Sequence, residues 1–282
     1  MNHLQFAARQ KRITLSGVAH VPLDIAYTDL GSGSPVLLMH GIPTWSFLHS
    51  EVIDRLAERH RVIAPDFIGH GHSDQRDMFD RSLVAQRKMI LALMDALQLP
   101  QAHLIGHDTG GGVALIMAVE NQDRVDRLVL SNIVAYDSWP IDDMIHVGHP
   151  GWARKSAQEI RDFLVAGFKD GLSRPDRLTP EFTNGIVAPY LTETGKISLI
   201  RNASGLNTSH TMMLVDRHAQ IKAKTLLVWG EDDPWQPVTD GERLAAEIPK
   251  ARLVRIPNAS HWITQDAPSE WLGHVIPFLE QA

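Results

Sequence analysis

The chain has 282 residues, 44% of them hydrophobic and 21% charged, the mix of an ordinary globular protein with room for one large domain and an insertion. Its 27 Lys and Arg against 33 Asp and Glu leave a net charge of −6, which offers no basic footprint for nucleic acid or an anionic membrane. It has no cysteine, so disulfides, thiolate metal sites and a cysteine nucleophile are excluded.

Met1 to Leu15 is interrupted by Arg9, Lys11 and Arg12 and lacks the apolar run of a signal peptide. No stretch approaches the roughly 18 apolar residues of a membrane span, so a soluble, cytoplasmic protein is expected. Segments near Arg12–Ala19 and Leu23–Thr28 read as an antiparallel edge, and Gly31 and Gly33 turn the chain into the first parallel strand. Short apolar runs predict buried strands at Val36–Met39, Val62–Pro65, Ala102–Gly106, Arg127–Leu130, Thr225–Trp229 and Arg252–Ile256. Helical periodicity appears in Ser82–Leu97, where Val84, Ile90, Leu91, Met94 and Leu97 share a face. It returns at about Gly112–Glu120, Val238–Ile248 and Pro268–Leu279.

Strand and helix in alternation predict an α/β protein whose mostly parallel sheet is covered by helices on both faces. The alternation stops between about Ile133 and Ala223, a stretch with five prolines and amphipathic pieces near Ala157–Phe168 and Gly195–Leu206. It is too long for a plain loop. A helical cap over the C-terminal edge of the sheet is expected, with the core at 1–133 and 224–282 and the cap at 134–223.

Ligands of open α/β sheets bind beyond the carboxyl ends of the strands, so chemistry is sought there. Gly106-His107-Asp108-Thr109-Gly110 follows the strand at Ala102 and has the form of a G-x-nucleophile-x-G elbow, with Asp at its centre. Small glycines let a strained strand-to-helix turn pack closely and push the middle residue outward. The plainer alternative is an Asp that caps the next helix. His40-Gly41-Ile42-Pro43 follows an earlier strand; in elbow enzymes such a loop supplies one backbone N–H, here of Ile42, to an oxyanion hole. The residue after the nucleophile, Thr109, supplies the other. Glu231-Asp232-Asp233-Pro234 and Ser260-His261-Trp262 follow two later strands and complete the order nucleophile, acid, histidine. Four loops at four strand ends outweigh the capping alternative.

From about Leu23 onward the chain resembles the α/β-hydrolase superfamily, and the Asp at its elbow resembles the branch with haloalkane dehalogenases and epoxide hydrolases. His40-Gly41-Ile42-Pro43-Thr44-Trp45-Ser46-Phe47-Leu48 is similar to the HG-x-PT-x-S-[FY]-L run of haloalkane dehalogenases. Ala64-Pro65-Asp66-Phe67-Ile68-Gly69-His70-Gly71-His72-Ser73-Asp74 is similar to their APD-[FL]-x-G-x-G-x-SD run. Epoxide hydrolases more often carry Arg where Ile68 stands. Family spacing implies Asp233, three residues after Gly230, as the acid, with Asp232 the alternative. The other position that relatives use for the acid is Asn132 here.

The resemblance implies an α/β-hydrolase fold and hydrolysis of a small apolar substrate through an alkyl ester on Asp108, with no cofactor and no metal. A carboxylate of ordinary pKa, about 3.9, is ionised at neutral pH and needs no base to attack. His261 then activates water, and Asp233 orients it.

The leaving group is the open question. Haloalkane dehalogenases carry a halide-binding Trp directly after the nucleophile; here that residue is Thr109, and Ile42 stands where relatives often carry Asn or Glu. Trp139 and Trp152 are the candidate substitutes. An epoxide needs a proton donor, for which the candidates are Tyr136 and Tyr190, or one of them with His149 or His210. Fluoroacetate chemistry lacks its Arg after the nucleophile. No metal site is expected at His70-Gly71-His72-Ser73-Asp74, because Gln75 stands where a further His would be needed. Haloalkane dehalogenation is the favoured reading. The alternatives are an epoxide hydrolase, an ester or lactone hydrolase, and a non-catalytic ligand-binding member of the fold.

Overall fold

The computed structural model describes residues 1–281. One sheet holds eight strands: β1 (Lys11–Leu15), β2 (Leu23–Leu30), β3 (Pro35–Met39), β4 (Arg61–Pro65), β5 (Ala102–Asp108), β6 (Val125–Ile133), β7 (Lys224–Gly230) and β8 (Ala251–Ile256). Their spatial order is β1-β2-β4-β3-β5-β6-β7-β8. β2 pairs antiparallel with both β1 and β4, and all other pairs are parallel.

β3 is apolar at every position because both of its faces are covered. Val36 and Leu38 of β3 enter one core, while Leu37 and Met39 enter the other. On β7, Leu226 and Val228 face the first core, and Leu227 and Trp229 the second. A strand turns successive side chains to opposite faces, so a sheet buried on both sides reads as a continuous apolar run.

The helix Leu83–Ala96 is started by Ser82, whose hydroxyl accepts from the Ala85 N–H at 3.2 Å. The helix Thr109–Glu120 is buried along its whole length except at Glu120, which suits its lack of a polar face. Between β6 and β7 lie the helices Asp142–Val147, Ala157–Asp170, Pro180–Val187 and Glu193–Ser204. Ala157–Asp170 begins in a capping box of Ser156 and Glu159 and buries Ile160, Leu164 and Phe168. These three residues join the core cluster that holds Val36 and Leu38.

The observed elements differ from expectation mainly at their ends. β5 runs two residues further, through His107 and Asp108, because both still pair with β6. The helix after the elbow starts at Thr109 rather than near Gly112. β1 stops at Leu15, short of Ala19, where the chain turns through Gly17 at φ 82°. The helix His3–Ala7, capped by Asn2, and the helix Pro180–Val187 were not foreseen, since with five and eight residues each is too short for its periodicity to stand out. No helix among the described residues is long and apolar enough to cross a membrane.

Candidate active site

Asp108 ends β5 with φ 49° and ψ −123°, a conformation that costs energy for any residue with a side chain. The turn persists because strand and helix almost touch. A Cβ on Gly106 would lie 2.5 Å from the Gly111 Cα, and one on Gly110 would run into the His40 carbonyl. The Asp108 side chain makes no capping hydrogen bond to the helix that follows, so the plainer reading of this residue does not describe it.

The Asp108 carboxyl is buried, with the residue 5% exposed. Its Oδ1 accepts the Ile42 N–H at 2.7 Å. Burial pushes its pKa above the usual carboxylate value; the nearby His261 and hydrogen bonds from Thr109 and Ile42 pull it down without cancelling that push. Gly41 is needed for this approach, since a Cβ there would collide with the Asp108 carboxyl.

The Ile42 loop is pinned from below. His40 Nε2 accepts the Phe67 N–H at 3.0 Å. Asp66 Oδ1 accepts from the Ser46 N–H at 2.9 Å and its hydroxyl at 2.6 Å, and Asp66 Oδ2 accepts the His72 N–H at 2.8 Å. The two dehalogenase-like runs thus brace one another, and their residues hold the Ile42 amide in place.

His261 sits in the loop after β8. Its Nδ1 is 2.8 Å from Asp233 Oδ2, and its Nε2 is 3.9 Å from Asp108 Oδ2, too far for a shared proton. Burial disfavours the imidazolium, but the charge and hydrogen bond of Asp233, and the charge of Asp108, outweigh it and raise the pKa. Asp233 follows β7 with its carboxyl fully enclosed. Its Oδ1 accepts the N–H groups of Trp235 at 2.8 Å and Gln236 at 3.0 Å, and its Oδ2 also accepts Asn132 Nδ2 at 2.7 Å. Asp232 points elsewhere, to the Ser173 hydroxyl at 2.8 Å.

His107, beside the elbow, was not singled out by the sequence. Its ring lies 4.7 Å from that of His261, and its Nδ1 donates to the Ser131 carbonyl at 3.0 Å. Burial, with the neighbouring His261 next, holds its pKa well below the usual histidine value, so it stays neutral.

A small pocket with a cavity volume of about 50 Å³ opens over Asp108, Thr109 and His261. Its walls are apolar: Met144, Phe163, Leu164 and Phe168 from the helices between β6 and β7, and Trp235 and Trp262 from the loops below. No lysine or arginine is among the described residues that line it.

Of the leaving-group candidates, Trp139 alone lines this pocket, and its Nε1 already donates to the Thr211 hydroxyl at 2.8 Å. The others are not among its lining residues. The Tyr136 hydroxyl donates to Glu247 Oε2 at 2.8 Å, and the Tyr190 hydroxyl to the Thr44 carbonyl at 2.8 Å, so neither phenol faces the pocket. Trp152 packs its ring on His146 and Phe163 with its Nε1 enclosed in protein. His149 is exposed and accepts the Gly151 N–H, and His210 lies in the short helix Ser209–Met212, away from the lining. Sequence reasoning also passed over Trp235, Gln236 and Trp262, although each stands within three residues of a singled-out Asp or His. That adjacency was the available signal.

Similarity to known proteins agrees with this architecture. The family described as alpha/beta hydrolase fold matches residues 34–268. The chain is 30% identical over 263 residues to haloalkane dehalogenase 2 of Mycobacterium bovis, covering 89% of this chain and 90% of that protein. It is 27% identical over 277 residues to 2-hydroxy-6-oxo-6-phenylhexa-2,4-dienoate hydrolase of Burkholderia cepacia, covering 93% of each. An alpha/beta hydrolase fold protein from Burkholderia ambifaria superposes with a TM-score of 0.87 at 28% identity, covering 95% of this chain and 97% of that one. With the elbow, the parallel sheet and this match over most of its length, the chain belongs to the α/β-hydrolase fold family.

Proposed function

We propose that this hydrolase cleaves carbon–halogen bonds of small apolar substrates through a covalent ester on Asp108. The observation that carries the reading is the carboxylate at the elbow: Oδ1 rests on the Ile42 N–H, while Oδ2 lies 3.9 Å from His261 Nε2, beside an apolar pocket. Oδ2 forms the C–O bond as the C–X bond breaks, and the bonding pair leaves with the halide. Water, deprotonated by His261 Nε2, then attacks the ester carbonyl carbon of Asp108. The negative charge that develops on Oδ1 is held by the N–H groups of Ile42 and Thr109. Asp233 keeps the proton on His261 Nδ1, so that Nε2 is the basic nitrogen, and stabilises the imidazolium. Collapse of the resulting intermediate breaks the bond between the carboxyl carbon and Oδ2, His261 returns its proton to the departing alkoxide, and the alcohol leaves after the halide ion. In this reading the helices between β6 and β7 act as a cap that excludes water from the ester.

The pocket walls support an uncharged substrate. A dienoate such as that in the name of the Burkholderia cepacia relative carries a carboxylate, and the lining here has no cation to meet it while it has Asp108 and Asp143. An epoxide leaves as an alkoxide and needs an acid, and the Tyr136 and Tyr190 phenols are engaged elsewhere.

The test is a parallel screen of terminal haloalkanes and epoxides that measures halide and diol, with mass spectrometry of a His261→Gln variant. Halide release from the native protein and an alkyl adduct on Asp108 in the variant support the reading. Diol without halide reverses it, and an Asp108→Ala protein that turns over at the native rate sinks it.

A further inference from the structure

A halide that departs into an apolar pocket loses its water and needs N–H groups to replace it. The N–H donors around this pocket are nearly all in use. Ile42 serves Asp108 Oδ1, Thr109 lies beside the same carboxyl and helps hold its pKa down, and the Trp139 indole serves Thr211. The Trp262 Nε1 has no partner but is enclosed against the chain at Gly171, where an added Cβ would come within 2.5 Å of it.

Two donors remain, side by side on the loop that also carries Asp233. Gln236 is 3% exposed and lines the pocket. Its Oε1 lies 3.2 Å from the Ser138 hydroxyl, and its Nε2 has no hydrogen-bond partner among the described residues. Its backbone is held at both ends, the N–H by Asp233 Oδ1 at 3.0 Å and the carbonyl by Trp229 Nε1 at 2.9 Å. Trp235 is fixed by its own N–H on Asp233 Oδ1 and by an edge-on contact of its ring with His261 at 5.0 Å. Its indole Nε1 likewise has no partner among the described residues.

Building on the dehalogenase reading, we propose that the side-chain N–H groups of Gln236 and Trp235 receive the departing halide, so that one loop carries both the acid and the leaving-group site. This replaces the tryptophan that Thr109 displaces. No proton moves in the step: Asp108 Oδ2 gains the carbon, and the halide keeps the bonding pair. Amide and indole N–H groups hydrogen-bond a halide but are too weakly acidic to protonate an alkoxide, so the site suits halide departure and not epoxide opening.

The experiment follows two signals in the intact protein. The first is the rate at which an alkyl adduct builds on Asp108 in a His261→Gln background, read by mass spectrometry. The second is the quenching of tryptophan fluorescence by sodium bromide. Gln236→Leu and Trp235→Phe, with unchanged circular dichroism, are expected to slow adduct formation by about 100- to 1000-fold, the range for loss of one charge-stabilising donor. They are also expected to weaken bromide binding. Gln236→Glu, similar in size to Gln236 but charged, is expected to slow it at least as much as Gln236→Leu. In the His261-intact protein, hydrolysis of the preformed ester in Gln236→Leu should stay within about threefold of native. Adduct formation at the native rate in Gln236→Leu or Gln236→Glu overturns the halide site and leaves the dehalogenase reading standing. So does a Gln236→Leu defect confined to ester hydrolysis, which marks Gln236 as a support for Asp233 only. Absence of any Asp108 adduct with Gln236 intact, across the haloalkane series, overturns both.

Discussion

Asn132 Nδ2 donates to Asp233 Oδ2 at 2.7 Å, the same oxygen that meets His261 Nδ1 at 2.8 Å. Asn132 stands at the end of β6, where it also accepts the Gly230 N–H at 3.0 Å through Oδ1. A residue that cannot act as the acid thus braces the one that can. In the proposed reaction alkylation of Asp108 needs no base, so Asn132 and Asp233 should matter for the second step only. Asp233→Asn is expected to slow ester hydrolysis by about 10³- to 10⁴-fold, through the wrong histidine tautomer, while adduct formation changes little. Asn132→Ala should cost less, about 10-fold, since the Trp235 and Gln236 amides still hold Asp233. Single-turnover mass spectrometry separates the two steps, and native ester hydrolysis in Asp233→Asn would remove Asp233 from the mechanism.

The pH profile follows from the same contact. Asp233 and Asp108 together lift His261 above 6.5 against the pull of burial. The base is the neutral form, so hydrolysis should fall as pH drops through a midpoint higher than that of an ordinary histidine. Asp233→Asn removes the larger of the two upward influences and should move the midpoint down. Adduct formation depends on ionised Asp108 and should fall through a midpoint of its own, above the usual carboxylate value. Stopped-flow halide release and adduct hydrolysis, each followed across pH, check this, and one shared midpoint for the two steps would contradict it.

Burial makes an ionised Asp108 costly to the fold. Its folded pKa is raised, so above that value the folded protein bears a buried charge that the unfolded chain would solvate. Below the ordinary carboxylate pKa both states are protonated and the cost is gone. Asp108→Asn, which can still accept the Ile42 N–H and tolerates positive φ, is expected to raise the melting temperature at neutral pH. The gain, about 2–4 °C for each kcal/mol relieved, should shrink as pH falls through the Asp108 value. Calorimetry from pH 5 to 8 reads this; a gain that is absent at neutral pH, or that grows toward acid, would contradict it.

The sheet, the elbow and the four strand-end loops were legible because each leaves a local trace. Two-sided burial writes continuous apolar runs, and functional loops of this fold directly follow them. Contacts across the chain leave no such trace. Tyr136 and Glu247 are far apart in sequence, as are Tyr190 and Thr44, and only packing shows that these phenols are spent. Trp139 likewise looked free until Thr211 was seen to take its N–H. Gln236 had the opposite fate: it reads as a plain loop residue, and its amide gains meaning from a backbone locked onto Asp233 and Trp229.

The spent phenols give a direct way to divide halide from epoxide chemistry. Tyr136→Phe leaves Glu247 with His218 Nδ1 at 2.7 Å and Arg243 Nε at 2.8 Å, so its loss of stability should be small, about 1 kcal/mol. Tyr190→Phe strands the buried Thr44 carbonyl and should cost about 1–3 kcal/mol, seen as a lower denaturation midpoint. Neither hydroxyl faces the pocket, so kcat/KM for halide release is expected to stay within about threefold of native in both. An epoxide hydrolase that used either phenol as its acid would instead lose most of its diol formation on that one substitution. A loss of more than about 100-fold in a variant that keeps its fold would therefore return the tyrosines to the reacting centre and favour the epoxide reaction.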